Sequence, residues 1–315
     1  MKALVTGAAG FIGSHLSAAL LDRGATVVAV DCFTDYYARS IKEKNLDENR
    51  PRPGFQFVET AIADADLEGL LEGVTHVFHL AAQAGVRKSW GRDFKAYTIN
   101  NVDATQTLLE ACVGRPVERF VYASSSSVYG DAAAIPMRES ALPRPLSPYG
   151  VTKLAAEHLC MLYQANHGVP ACAMRYFTVY GPRQRPDMAF HRFIKAALRE
   201  EPISLYGDGG QTRDFTFVAD AVAATIAAGE RGVPGRAYNV GGGSRVSMND
   251  VLHIIERIGG HPLRITREAA QKGDMRDTYA DTTRARADLG FVPSISLEEG
   301  IQEQYRWLAS SSVPV

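Results

Sequence analysis

A glycine-rich turn near the start of the chain constrains its fold more than any other feature. Gly7, Gly10 and Gly13 follow an apolar run at residues 2–6 and open a segment of helical pattern at residues 11–23. Glycine permits a tight turn there and lets backbone N–H groups approach an anion at the positive end of the helix. The arrangement predicts a strand–turn–helix unit that binds the pyrophosphate of a dinucleotide.

A carboxylate at the end of the next apolar run refines this prediction. Asp31 follows the last of the three glycines by one helix and one strand, where an acid accepts hydrogen bonds from the adenine-ribose hydroxyls. A negative charge there repels a 2′-phosphate, so the sequence favours NAD over NADP. The alternative is that the glycines only form a tight turn. The strand before them, the helix after them and the acid favour cofactor binding.

Short apolar runs alternate with helical segments through the first half of the chain. Most of the runs are continuous, which is typical of parallel strands covered on both faces. The predicted class is therefore α/β, a Rossmann-type doubly wound parallel sheet with a smaller C-terminal α/β domain. We predict strands at 2–6, 26–31, 55–62, 76–81, 119–125 and 171–177, helices at 11–23 and 102–112, and a long loop with room for a short helix at 35–54.

The second half of the chain has a different composition and pattern. Glycine and proline become more frequent after about residue 180, and strands are harder to recognise. We predict an NAD-binding domain at 1–178, with a segment near 213–245 that returns to it, and a second domain at 179–315. Residues 237–241 are expected to rejoin the large sheet.

Composition excludes several classes of protein. The 34 lysines and arginines balance 35 acids, which leaves no basic patch for nucleic acid. No apolar run reaches the ~18 residues that span a bilayer, and the N-terminus does not resemble a signal peptide. Cys32, Cys112, Cys160 and Cys172 are widely spaced, which favours reduced thiols over a disulfide or metal site. We expect a cytoplasmic protein without nucleic-acid, membrane or metal partners.

Two short motifs supply groups for acid–base chemistry. Tyr149 and Lys153 lie four residues apart in a helical segment, so both side chains can face one cleft. An ammonium beside a phenol lowers the phenol's pKa from about 10, as a general base requires. Four serines at 124–127 end an apolar run, and open α/β sheets bind ligands at such strand ends. Either motif alone fits a surface pair or a serine-rich turn; together with the glycine turn they indicate a catalytic site.

With these motifs the chain resembles the extended short-chain dehydrogenase/reductases, in their branch of NAD-dependent nucleotide-sugar epimerases and dehydratases. The resemblance extends from Gly7 to about Gly300. It implies a Rossmann-type domain followed by a smaller domain that binds a nucleoside diphosphate sugar. It also implies a homodimer, formed through helices near residues 102–112 and 148–167.

The resemblance implies site residues by motif. The catalytic residues would be Ser125, Ser126, the base Tyr149 and its partner Lys153. Where the family usually has an acid before an isoleucine, this chain has Ala61, so one contact to the adenine is expected to be missing. The implied NAD site consists of Gly7, Gly10, Phe11, Ile12, Gly13, Asp31, Ile62, Leu80, Ala81, Ala82, Asn100, Tyr149, Lys153 and Tyr176.

The serine turn distinguishes among the reactions of this branch. The 4,6-dehydratases carry Thr-Asp-Glu there, and decarboxylases that form UDP-xylose carry a glutamate, whereas residues 124–127 are all serine. The resemblance therefore implies 4-epimerisation. Tyr149 would take the 4-hydroxyl proton while C4 passes a hydride to NAD, and the 4-keto sugar would turn over before it is reduced on its other face. Lys153 would bind the nicotinamide ribose, and Ser125 would hydrogen-bond the reacting oxygen.

Three segments, at residues 35–37, 79–87 and 185–189, are similar to those of UDP-glucuronate 4-epimerases. Arg185 can form a bidentate pair with a C6 carboxylate, although a loop arginine can also bind phosphate or a backbone carbonyl. We therefore expect UDP-glucuronate and UDP-galacturonate as the preferred pair. The predicted substrate contacts are Gln83, Arg87, Ser125, Thr178, Arg185, Tyr206, Arg213, Asp274 and Arg276.

Three alternatives stay open. A UDP-glucose/UDP-galactose 4-epimerase would keep the chemistry and change the sugar. A UDP-glucuronate decarboxylase would release carbon dioxide. A redox-sensing binding protein would use the same fold without catalysis, but such a protein needs no base at Tyr149.

Overall fold

Apolar runs rich in valine, alanine and phenylalanine form the strands of this protein. The computed structural model describes residues 1–131, 134–269, 273 and 275–310. Most strands of the largest sheet are buried along nearly their whole length, which fits their continuous apolar character. The strands are β1 (Lys2–Thr6), β2 (Thr26–Asp31), β3 (Phe55–Glu59), β4 (His76–His79), β5 (Arg119–Ser125), β6 (Ala171–Tyr176), β7 (Thr178–Tyr180), β8 (Ile203–Tyr206), β9 (Thr212–Phe217), β10 (Ala237–Val240), β11 (Arg245–Ser247) and β12 (Ile265–Glu268).

Seven of these strands form one parallel sheet in the order β10-β6-β5-β4-β1-β2-β3. Thr6 at the end of β1 pairs with Val30 on β2 and with His79 on β4. The strand order reverses between β1 and β4, so a crevice opens at their carboxyl ends. This is the Rossmann-type sheet that the sequence predicts, and β10 joins it beside β6 as expected.

Helices connect the strands, and the longest carries the motif with Tyr149 and Lys153. It follows Ser147, whose hydroxyl accepts a hydrogen bond from the Gly150 N–H, and it ends at Gly168 with φ of 71°. The helices are α1 (Phe11–Asp22), α2 (Arg39–Leu46), α3 (Leu67–Leu70), α4 (Phe94–Tyr97), α5 (Ala104–Cys112), α6 (Pro148–His167), α7 (Ala189–Leu198), α8 (Val218–Arg231), α9 (Met248–Gly259), α10 (Thr283–Leu289) and α11 (Leu297–Ser310).

Strands from the second half of the chain form two smaller sheets. One contains β7, β9 and β11, with β9 in the middle, and the other pairs β8 with β12. Phe190 packs between Tyr180 and Phe215, with ring centroids 5.0 and 4.6 Å away. These aromatic side chains belong to the same hydrophobic core that lies under β1 and β2. The second half of the chain is therefore packed directly against the large sheet.

Some boundaries differ from the prediction. β3 ends at Glu59 because residues 62–64 form a 3-10 turn. β4 ends at His79: the Leu80 N–H still donates to the Thr6 carbonyl, whereas the Ala81 N–H donates to the Thr6 side chain. Residues 98–103 form a π-helical turn that delays the start of α5. The polar segment at 35–54 contains the expected short helix, α2.

The four cysteines are free thiols, as the sequence predicts. Within the described residues, no helix is both long and apolar enough to cross a bilayer.

Candidate active site

A cleft at the carboxyl ends of β1, β2, β4 and β5 brings together the residues predicted to bind the dinucleotide. It extends from the glycine turn, past the end of β2, to the first turns of α6. The predicted residues that line it are Gly7, Gly10, Phe11, Ile12, Gly13, Asp31, Ile62, Leu80, Ala81, Ala82, Asn100, Tyr149, Lys153 and Tyr176.

The glycine turn is too tightly packed to hold side chains. Gly7 has φ of 70°, and a Cβ there would lie 2.8 Å from the backbone nitrogen of Ala81. A Cβ on Gly13 would lie 2.1 Å from the carbonyl oxygen of Gly7. Gly10 precedes α1 and has no side chain to cap it, so first-turn N–H groups remain for an anion.

Asp31 connects the glycine turn to the loop after β2. Its Oδ2 accepts a hydrogen bond of 3.1 Å from the Ala9 N–H, and its Oδ1 accepts one of 2.8 Å from the Phe33 N–H. Burial raises the pKa of Asp31, and the hydrogen bond from Phe33 opposes that rise. Each carboxylate oxygen has a second lone pair, so Asp31 can still accept hydrogen bonds from a ribose.

Beside Asp31 the cleft wall contains a lysine that the sequence pattern does not reveal. The Nζ of Lys42 donates hydrogen bonds to the Thr34 carbonyl at 2.6 Å and to its hydroxyl at 3.2 Å. It lies 4.7 Å from the centroid of the Tyr37 ring. Burial lowers the pKa of Lys42, and Asp31 opposes that change. One lysine among the polar residues of 35–54 gives no signal, because only the fold of α2 turns it inward.

Tyr149 and Lys153 face the cleft from the first turns of α6. Tyr149 hydrogen-bonds with Ser125 and makes an edge contact with Tyr97, with ring centroids 6.2 Å apart. Lys153 is only 3 % exposed, and its ammonium lies 4.7 Å from the centroid of the Tyr122 ring. The structure therefore brings the two side chains to one place, as their spacing predicts.

The charges in the cleft correct one expectation. Burial raises the pKa of Tyr149, whereas Arg185 and the hydrogen bond with Ser125 act to lower it. Burial lowers the pKa of Lys153 to about 7, against the opposing effects of Cys160 and Glu157. The prediction that Lys153 lowers the pKa of Tyr149 is therefore wrong: the pKa is raised overall. The cation that favours the phenolate is Arg185.

The serine turn contacts Tyr149 through one hydroxyl. Ser125 hydrogen-bonds with Tyr149, and its Oγ also accepts a hydrogen bond of 3.1 Å from the Ser127 N–H. Ser124 lines the cleft, and Ser126 is buried. The structure places Ser125 beside the predicted base, while a catalytic role for Ser126 stays a prediction.

A buried ion pair supports this turn from inside the protein. Glu157 accepts a hydrogen bond of 2.5 Å from the Ser124 hydroxyl and pairs with Arg175, whose Nη2 lies 2.5 Å from its Oε1. Arg175 also donates to the Tyr129 hydroxyl at 2.8 Å. The side chain of Glu157 is 5 % exposed and that of Arg175 is 6 % exposed. The ion pair and its hydrogen bond to Ser124 connect β5, α6 and β6 beneath the cleft. On α6, Glu157 lies one helical turn after Lys153.

Arg185 reaches the cleft from the loop after β7, and it has a partner there. Its Nε and Nη2 donate to the two carboxylate oxygens of Asp187, at 3.0 and 3.1 Å. Gln83 lines the same cleft, and its backbone N–H donates to the Asn101 side chain at 2.7 Å. Arg185 and Gln83 are therefore predicted substrate residues that line the cleft together with Tyr149, and Ser125, also predicted, hydrogen-bonds with Tyr149.

The other predicted substrate residues form separate clusters. The guanidinium of Arg87 lies 4.3 Å from the centroid of the Tyr206 ring. Arg213 donates to the backbone carbonyl of Arg276 at 2.8 Å, and Thr178 begins β7. None of these five is among the described residues that line the dinucleotide cleft. Asp274 lies outside the described residues.

Comparisons with known proteins agree with this geometry. The sequence profile of the NAD dependent epimerase/dehydratase family matches residues 3–241. A UDP-glucuronate 4-epimerase of Thermodesulfobacterium geofontis (strain OPF15) is 37% identical over 308 residues, which cover 96% of this chain and 95% of that protein. A Bacillus subtilis (strain 168) protein described as an uncharacterized UDP-glucose epimerase, YtcB, is 45% identical over 312 residues, 98% of each chain.

A solved structure is also similar over nearly the whole chain. The UDP-glucuronic acid 4-epimerase of Bacillus cereus, in complex with UDP-glucuronic acid and NAD, superposes with a TM-score of 0.96. It is 44% identical and covers 98% of this chain and 99% of its own. The matched profile covers well over half of the sequence and includes the glycine turn, the serine turn and the Tyr149–Lys153 motif. The chain belongs to the NAD dependent epimerase/dehydratase family.

Proposed function

We propose that this protein is an NAD-dependent UDP-sugar 4-epimerase whose preferred pair is UDP-glucuronate and UDP-galacturonate. The observation that carries the proposal is the convergence of Tyr149, its partner Ser125, Lys153 and Arg185 at the inner end of one dinucleotide cleft. Relatives and solved structures of the same length act on UDP-glucuronate or UDP-glucose according to their names.

The residues of the cleft fit NAD. The glycine turn lies at the uncapped N-terminus of α1, and a Cβ on Gly7 or Gly13 would clash with the neighbouring backbone. Asp31 has lone pairs free for a ribose and a charge that opposes a 2′-phosphate. When bound, NAD supplies the acceptor and donor of hydride at the sugar C4. We assign Lys153 to the nicotinamide ribose and Gly7, Gly10 and Gly13 to the pyrophosphate.

Tyr149 is the general base of the proposed reaction. Its phenolate oxygen takes the proton of the sugar 4-hydroxyl and later returns it to the same sugar oxygen, so a single acid–base group suffices. Ser125 hydrogen-bonds with Tyr149 and would hold the reacting oxygen. The positive charge of Arg185 favours the phenolate form of Tyr149.

The serine turn argues against the alternative reactions. Elimination or decarboxylation would be assisted by an additional acid–base group at residues 124–127, and all four are serine. The carboxylate that contacts this turn, Glu157, is already paired with Arg175 in the core. Proton transfer at the 4-hydroxyl is therefore the chemistry that these residues support.

UDP-glucose and UDP-galactose are the second candidate pair. The Bacillus subtilis relative is described as an uncharacterized UDP-glucose epimerase, and a neutral sugar would need no carboxylate receptor at Arg185. The deciding experiment is a product assay of the purified protein with NAD, run in parallel on UDP-glucuronate and UDP-glucose. We expect UDP-galacturonate with no UDP-pentose and little UDP-galactose. UDP-galactose as the main product would overturn the assignment of the sugar.

We also propose that two parts of the chain bind different ligands and that the protein forms a homodimer. Residues 1–178, with the returning strand β10, would hold NAD, and residues 179–315 would hold the UDP-sugar. The π-helical turn and α6 expose apolar side chains: Ile99 is 41 %, Val151 48 % and Leu162 56 % exposed. These exposed side chains support a homodimer joined through α5 and α6, which light scattering of the purified protein tests directly, and we expect the enzyme to be cytoplasmic.

A further inference from the structure

Arg185 has a counter-ion of its own within the protein, Asp187. Asp187 receives two hydrogen bonds from the Nε–Nη2 edge of the guanidinium. A guanidinium has a second edge, Nη1–Nη2, that can also bind a carboxylate with paired hydrogen bonds. The pair with Asp187 does not use that edge, so a substrate carboxylate can bind Arg185 without displacing Asp187.

Tyr36 holds Asp187 in this position. Its hydroxyl donates a hydrogen bond of 3.3 Å to Asp187 Oδ2. The Tyr36 ring has two cations near it, the Lys88 ammonium 4.9 Å and the Arg185 guanidinium 5.7 Å from its centroid. Gly85 leaves room for this ring, because a Cβ there would lie 2.0 Å from the Tyr36 oxygen. Three loops, after β2, β4 and β7, therefore meet at Tyr36.

Around neutral pH Asp187 stays ionised and Tyr36 stays protonated, which preserves the hydrogen bond between them. Burial acts to raise the pKa of Asp187, but the charge and hydrogen bonds of Arg185 outweigh it and lower that pKa overall. Burial and the neighbouring Asp187 raise the pKa of Tyr36 to about 12. Asp187 thus remains an acceptor and Tyr36 a donor.

We infer that Asp187 and Tyr36 are positioning residues for sugar specificity, which hold one edge of Arg185 so that the other is ready for the C6 carboxylate. The inference rests on the proposed function, since it takes Arg185 as the receptor of that group. A long side chain that is ordered before binding loses less conformational entropy when the ligand arrives.

The test compares binding of UDP-glucuronate, UDP-glucose and UDP to the NAD-loaded protein by calorimetry. In Asp187→Ala and Tyr36→Phe we expect the Kd for UDP-glucuronate to rise, by about fivefold for Asp187→Ala and less for Tyr36→Phe. Binding of UDP-glucose and UDP should change by less than about twofold. In turnover, KM for UDP-glucuronate should rise while kcat stays near the wild-type value.

Glu48→Ala is the matched control. Glu48 is the counter-ion of Arg183, and Arg183 lies two residues before Arg185 on the same loop. Loss of the Glu48 carboxylate should leave the affinities for UDP-glucuronate, UDP-glucose and UDP unchanged. Tyr36→Phe removes one hydroxyl only, so it carries the test if Asp187→Ala fails to fold or to retain NAD.

The outcomes separate this inference from the proposed function. Equal losses for both sugars, or tighter binding of UDP-glucuronate in Asp187→Ala, would overturn the positioning role while a wild-type preference for UDP-glucuronate stands. An absence of that preference in the wild type, unchanged by Arg185→Ala, would overturn the sugar assignment and this inference with it.

Discussion

Tyr149 is the residue on which the proposed chemistry depends most. Tyr149→Phe removes the proton acceptor and leaves the aromatic ring, so we expect kcat to fall by at least about 100-fold, the lower range for loss of a general base. NAD should stay bound, because the glycine turn and Asp31 are untouched. Turnover and the NAD content of the purified variant measure both effects. Unaltered turnover would contradict the assignment of the base.

Arg185 should act on Tyr149 as well as on the substrate. Removing its positive charge in Arg185→Met disfavours the phenolate, so the pKa of Tyr149 should rise. The acid limb of the pH profile of kcat should then move to higher pH by about one pH unit. Arg185→Lys is the control because it keeps the charge and should keep the limb in place. A profile that is the same in all three proteins would show that the charge does not influence the base.

Asp31 should determine the choice of cofactor. Asp31→Ala removes the partner of the ribose hydroxyls and the charge that repels a 2′-phosphate, while the buried Lys42 remains beside the site. We expect weaker NAD binding and a ratio of the NADP to NAD dissociation constants that falls at least about tenfold, equivalent to about 1.4 kcal/mol. Glu59→Ala, at the end of the neighbouring strand, is the control. An unchanged ratio in Asp31→Ala, measured by calorimetry, would refute this role.

At the scale of elements, the ion pair of Glu157 and Arg175 fastens α6 to β5 and β6. Glu157→Ala leaves a buried guanidinium without its counter-ion, and we expect the free energy of unfolding to fall by about 3–5 kcal/mol. Replacing both residues in Glu157→Leu/Arg175→Met should restore much of this loss, because neither charge is then left unpaired. Denaturant unfolding of the wild type, the single variant and the double variant measures these free energies of unfolding. A loss below about 0.5 kcal/mol in the single variant would show that the pair does not stabilise the fold.

The sequence predicts some elements better than others, for physical reasons. β1, β2 and β5 have the predicted bounds because each is a continuous apolar run that ends at a polar residue. Just beyond β4, the Ala81 N–H donates to the side chain of Thr6, 75 residues earlier, and no local pattern indicates this contact. The π-helical turn at 98–103 has no periodic pattern that a sequence could reveal.

At the scale of the molecule, the dinucleotide site was predictable because one topology brings strand ends together. Its glycine turn, Asp31, Tyr149 and Lys153 lie in local motifs whose positions follow from the parallel sheet. Lys42 gave no such signal, and Asp187 lies in a segment noted only for its resemblance, because the roles of both residues come from contacts between distant segments. Tyr36 and Asp187, for example, are 151 residues apart in sequence.

The central claim is that epimerisation proceeds by removal and return of the same hydrogen at C4. The most direct test is to incubate the protein and NAD with UDP-glucuronate that carries deuterium at C4, in ordinary water, and to analyse the product by NMR and mass spectrometry. The proposed mechanism predicts UDP-galacturonate that retains the deuterium at C4. Loss of the deuterium to solvent, or a labelled UDP-pentose in place of UDP-galacturonate, would contradict it.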